Sequence, residues 1–246
     1  MRERAARSAT ILVWTGAAIV LAAVAGACAA GPGYQGGLWH FSTGFTILRW
    51  SVYSAAAGGL LALVGVAILR RLSRMTALGA VAAVAAIALI VPSWQLERTA
   101  DMVPRIHDIT TDTENPPQFV ALLMLRAQTS NGPEYGGEKV ARAQKAAYPY
   151  IQPVLLAEPP ARAFERALAA ARNMGWEIVA AEAVEGRIEA TATTRWFRFK
   201  DDVIVRVAAE GTGSRIDIRS KSRLGRSDLG ANAKRIRAYV QKLGNV

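Results

Sequence analysis

The chain has 246 residues, 52% of them hydrophobic, and 30 Lys and Arg against 19 Asp and Glu give a net charge of +11. That length holds one sizeable domain or two small ones, and the single cysteine, Cys28, excludes an intrachain disulfide and any multi-cysteine metal site. A basic balance can indicate nucleic acid, but here part of the excess is arginine flanking apolar runs: before residue 100 the basic residues are Arg2, Arg4, Arg7, Arg49, Arg70, Arg71, Arg74 and Arg98, and the acids are Glu3 and Glu97.

Three apolar runs open the chain, at about residues 9–30, 50–69 and 76–94. A helix rises 1.5 Å per residue, so a hydrocarbon core of ~30 Å takes about 20 apolar residues. Backbone polar groups inside lipid have to pair within their own segment, which makes these runs helices. Arg2, Arg4 and Arg7 precede the first run and Arg70, Arg71 and Arg74 fill the second link, whereas residues 31–46 hold no Lys or Arg. The positive-inside rule then puts the N-terminus in the cytoplasm and, after three spans, the C-terminal part outside. The first run exceeds the apolar stretch of a cleaved signal peptide. AGAC, ending at Cys28, faintly resembles a lipoprotein processing site, but Ala25 stands where Leu is usual. Small residues such as Gly58 and Gly59 suit close helix packing, within the chain or between copies in a homo-oligomer. The middle of each run lacks Asp, Glu, Lys and His, which argues against a proton relay or ion path.

Residues 96–150 read as an extended polar linker holding one compact cluster, in which His107, Asp108, Asp112 and Glu114 fall within eight positions. Imidazole and carboxylates together can hold a divalent metal, and these four are the candidate metal ligands. The spacing matches no standard metal loop, and Asp108, Thr110, Thr111 and Asp112 also suit ordinary turns.

From residue 151 to 246 the pattern predicts a soluble α+β domain in the order β-α-β-β-β-β-α. Strands are expected at 151–156, 176–181, 188–199, 203–208 and 215–220. Phe164, Ala167, Leu168 and Ala171 mark one amphipathic helix, opened by Pro159-Pro160 and stopped at Gly175. Ile236, Tyr239, Val240 and Leu243 mark a second, with Asp228 as its N-cap. Asp201-Asp202 and residues 211–214 read as hairpin turns. One antiparallel sheet with both helices on one face would bury both stripes. Trp196, Phe197 and Phe199 put apolar residues on both faces of their strand, which favours a β-bulge over an apolar outer patch.

The segments RIHDITTDTENPPQF, YPYIQPVLL, GWEIVAAEAVEGRIEATATTRWFRFKDDVIVRV and SRIDIRSKSRLGRSDLGANAKRIR resemble, in order, domain-of-unknown-function family 1499, over roughly residues 104–243. The resemblance implies a bacterial envelope protein and no particular activity.

For function, Arg223, Arg226, Asp228 and Asn232 at the start of the last helix are the candidate ligand-binding group. A helix N-terminus attracts anions, and two arginines before it could clamp a phosphate or carboxylate. The competing reading makes Asp228 a cap and the arginines solvated. The sequence holds no serine elbow, no HExxH and no glycine-rich phosphate loop. The leading expectation is a non-enzymatic binding or scaffolding module, without cofactor, tethered in the bacterial inner membrane and facing the periplasm. Its expected partners are the bilayer, an anionic lipid or an envelope protein, and not nucleic acid. A metal-assisted envelope hydrolase using residues 107–114 is the alternative, and a subunit of a larger complex is a third reading.

Overall fold

The computed structural model describes residues 2–69 and 74–244. Arg70 and Arg71, on which the orientation argument draws, lie outside the described residues. The chain forms two compact units, residues 1–99 with 196–198 and residues 100–195 with 199–246.

The first unit contains α1 (Arg2–Gln35), α2 (Phe41–Leu69) and α3 (Arg74–Met102). All three are long and apolar enough to cross a membrane, and each is longer than its predicted span. α1 and α2 meet along small residues. A Cβ on Gly16 would stand 2.4 Å from the Gly58 carbonyl oxygen, and one on Gly58 would stand 2.8 Å from the Gly16 oxygen. The two backbones therefore touch where neither residue has a side chain. Val20, Ala23, Ala55, Ala62, Ala82 and Ala86 form the buried cluster that also brings in α3. The small faces read from the sequence are thus used within the chain.

The second unit is a six-stranded antiparallel sheet with helices. Its strands are β1 (Asp108–Thr110), β2 (Val154–Leu156), β3 (Glu177–Glu182), β4 (Arg187–Thr193), β5 (Lys200–Glu210) and β6 (Gly213–Ser222). The order is β1-β6-β5-β4-β3, and β2 shares the β6 edge with β1. Two short helices, α4 (Leu123–Ala127) and α5 (Gly137–Ala147), lie between β1 and β2; α6 (Pro160–Asn173) follows β2, and α7 (Ala231–Gly244) ends the domain.

Alternation along the strands separates two faces. Ile109, Ile188, Ala190, Val203, Val205, Ile216 and Ile218 pack with α6 and α7 through Phe164, Ala167, Ala171, Ile236, Tyr239 and Leu243. Trp176 stacks on Tyr239 at 5.1 Å between ring centroids, and the Tyr239 hydroxyl donates to the Ala167 carbonyl at 2.8 Å. Both predicted amphipathic stripes are therefore core, and Gly175, at φ +71°, ends α6 as expected.

Four expectations need correction. Residues 100–150 belong to the second unit: β1 pairs β6 through Asp108 with Lys221 and Thr110 with Arg219. The predicted 188–199 strand stops at Thr193, so Trp196, Phe197 and Phe199 lie in the β4–β5 connection, and no bulge is needed there. The register shift falls in β3, between Ile178 and Ala180. Asp201 and Asp202 are no turn but the buried start of β5, 4% and 0% exposed. Their turn propensity yields because the buried Arg126 and the partly buried Arg223 and Arg235 meet the two carboxylates.

Candidate functional site

The sheet face away from α6 and α7 carries charge. Register across β1, β6, β5 and β4 lines up Asp108, Lys221, Asp202 and Thr191 in one row, and Thr110, Arg219, Ile204 and Glu189 in the next. Asp108, Glu189, Asp202, Asp217, Arg219 and Lys221 are all buried. Their cover comes from the segment after β1, where Phe119 and Leu122 pack on Ile204.

Arg219 holds Asp108 bidentately, Nε to Oδ1 at 2.9 Å and Nη2 to Oδ2 at 2.8 Å. Two of its other hydrogens go to the Pro117 and Pro133 carbonyls at 3.0 and 2.9 Å. Arg126, 0% exposed, reaches Asp202 at 2.6 Å and the carbonyls of Lys221, Asn131 and Ser222. Arg223 grips the same Asp202 from the other side, at 2.8 and 2.9 Å. Lys221 lies 3.3 Å from Asp108 and donates to the Glu134 carbonyl. Phe119 sits under two guanidinium groups, with Arg126 at 4.8 Å and Arg219 at 5.1 Å from its ring centroid. Four cations thus share two carboxylates, and backbone carbonyls of the covering segment and of β6 take further donors, whereas the buried Arg126 Nε has no hydrogen-bond partner among the described residues. Burial pulls the Lys221 ammonium below its ordinary value, against the pull of Asp108. It lowers Arg126 too, against Asp202, and pushes the Tyr135 phenol up to about 12.

Glu189 has a different task. Its two carboxylate oxygens accept the backbone N–H groups of Val120, Ala121 and Leu122 at 3.0, 2.8 and 2.9 Å. Arg187, the first residue of β4, pairs with it from two positions away on the same strand. A third cluster joins Arg206 and Arg215 to Asp112 and Asp217, at 2.8 to 3.0 Å.

The candidate metal ligands are dispersed among these contacts. Asp108 is held by Arg219 and Lys221, Asp112 by Arg206 and Arg215, and Glu114 by Lys145 at 2.7 Å on the surface. His107 is half-buried; burial first, then Lys221, pulls its imidazole below the usual value. Among the described residues no three His, Cys, Asp or Glu side chains form a group able to hold a metal. Asp112 also accepts from the N–H groups of Glu114 and Asn115, a local turn.

Of the predicted anion group, Arg223 is 12% exposed at its side chain and engaged by Asp202 and Thr191. Asp228 accepts from the N–H groups of Gly230 and Asn232 at 2.8 and 3.0 Å and so caps the first turn of α7, while the N-cap position expected for it falls to Gly230, whose carbonyl accepts from Lys234. Burial raises its carboxyl despite those bonds. Asn232 is buried and ties Ser220, Ser222 and the His107 carbonyl together. Arg226 is exposed. The structure does not bring the four together as an anion clamp.

Sequence reasoning missed Arg126 and Glu189. The available signal was Asp217, Arg219 and Lys221 alternating with Ile216 and Ile218 on β6, which marks a charged face that something has to cover.

Residues 108–243 match a family described as proteins of unknown function, DUF1499. The chain belongs to that family. Its matched segment opens at Asp108, the first residue of β1, and closes at Leu243 in α7, so the covering segment and its ion pairs fall inside the DUF1499 region. No curated protein matches the chain.

Proposed function

We propose that this DUF1499 protein is a membrane-anchored binding module of the bacterial envelope, held by α1, α2 and α3 in the inner membrane with its domain on the periplasmic side. The observation that carries the reading is the set of three helices long and apolar enough to cross a membrane, joined to the domain within six residues of Met102. The arginines around the first helix and in the second link favour the cytoplasm for those segments. A binding role is preferred to catalysis because Asp108, Asp112, Asp202 and Asp217 are each engaged by guanidinium groups. A carboxylate so engaged and so little exposed is screened from the proton of a substrate by its own partners.

The test is a pair of reporters fused after Val246 in the full chain. Alkaline phosphatase activity with a dark green fluorescent protein places the domain in the periplasm. The opposite pattern overturns the orientation, and release of the protein by alkaline carbonate overturns the anchor.

A further inference from the structure

Residues 120–125 present an apolar surface that the fold leaves open. Val120 is 55% exposed, Leu123 43%, Met124 73% and Leu125 44%. Leu122, the N-cap of α4, and Arg126, four residues on, turn inward and are buried. The intervening side chains therefore have no place in the core.

This hook is clamped at both ends. Glu189 accepts the three N–H groups at 120–122, and Arg126 is fixed to Asp202 and to the carbonyls of Lys221 and Ser222. Burying ions is costly unless they are well paired. Two such groups hold in place a stretch whose apolar side chains, Leu122 apart, gain nothing from the interior.

Register fixes where on the domain the hook lies. Asp108 begins β1 opposite Lys221, which pairs Asp202, and Arg126 binds this same row. The hook therefore runs from the Glu189–Ile204 row toward the end of the sheet at which the chain enters from α3. Between Met102 and Asp108 the chain can span about 20 Å at full stretch. The exposed residues at that end include the cations Arg105, Arg195, Lys200 and Arg226. The turn between β3 and β4, with Val184 fully exposed, is at the opposite end.

We infer that residues 120–125 are a second membrane contact, which sets Leu123 and Met124 into the headgroup layer of an anionic bilayer beside Arg105, Lys200 and Arg226. The inference rests on the membrane anchorage proposed above. Apolar side chains with flanking cations are what an interfacial contact with anionic lipid requires, and the tether supplies the proximity.

The experiment uses the full chain with Cys28→Ser, one copy per lipid nanodisc, carrying either Met124→Cys or Val184→Cys. Each cysteine is labelled with an environment-sensitive dye. In discs of phosphatidylglycerol with phosphatidylethanolamine, the dye at 124 is expected to shift to the blue, to be quenched by lipid-borne quencher and to be several-fold less accessible to iodide than the dye at 184. Equal iodide access at both positions overturns the inference. So does shielding at 124 that appears only when a protein fraction is added, which would assign the hook to a protein partner. Unfolding is read separately from the circular dichroism of each labelled protein. If the reporters or carbonate extraction fail first, the anchorage reading falls; if those hold and 124 stays wet, only the hook assignment falls.

Discussion

Asp202 is fully buried and answers to three side chains: Arg126 and Arg223 pair with it, and the Thr191 hydroxyl donates to it at 2.8 Å. The arginines selected from the sequence consequently separate by environment. Arg223→Ala is expected to lower stability by about 2 kcal/mol, because a charge-assisted bond is lost while Asp202 keeps Arg126. Arg226→Ala, at an exposed position, is expected to leave the urea midpoint of the full-length protein in detergent unchanged. Equal loss in both variants would refute the distinction. His107 gives a pH dependence whose sign follows from its lowered value. Near pH 6.5 and below, the unfolded chain takes up a proton that the folded domain refuses, so stability falls as pH drops through about 6.5 and levels off below the folded value. Urea midpoints across that window should flatten in His107→Gln; an unchanged slope would assign it to other groups.

At the level of elements, the contact between α1 and α2 depends on the absence of side chains at Gly16 and Gly58. Gly58→Leu is expected to lower the thermal unfolding temperature in detergent clearly, whereas Leu60→Phe, at a position 63% exposed, should not. A tolerant Gly58 would mean that the helices separate without cost. The elements were legible where one periodicity sufficed. Three apolar runs, two helical stripes and the alternation of β5 and β6 all hold in the structure. β1 was not legible, because three residues with one apolar side chain carry no period, and their partner strand comes over 100 residues later. The Asp201-Asp202 pair misled for a related reason: turn propensity is local, whereas the guanidinium groups that meet it come from Arg126, Arg223 and Arg235. The candidate site was legible residue by residue and not in its geometry. Asp108, Asp112, Asp228 and Asn232 all matter to the fold, but the partners that decide their roles lie elsewhere in the chain.

Across the whole molecule, the net charge of +11 has two destinations. One part is interior, as guanidinium groups that fasten the segment after β1 to the sheet. The other is exterior, at residues such as Arg105, Arg195, Lys200 and Arg226. Composition alone merges the two, and the basic balance by itself overstates what remains for a partner. The long separation of paired residues also has a consequence in time. Asp108 and Arg219 stand 111 residues apart, so the N-terminal side of the ion layer leaves the ribosome roughly 5–20 s before its partner, at about 5–20 residues per second. During that interval Ile106, Ile109, Phe119 and Leu122 have no strand to rest on. The domain closes only when its last strand arrives, and until then a nascent chain offers holdases and neighbouring copies the very surface that the finished protein hides.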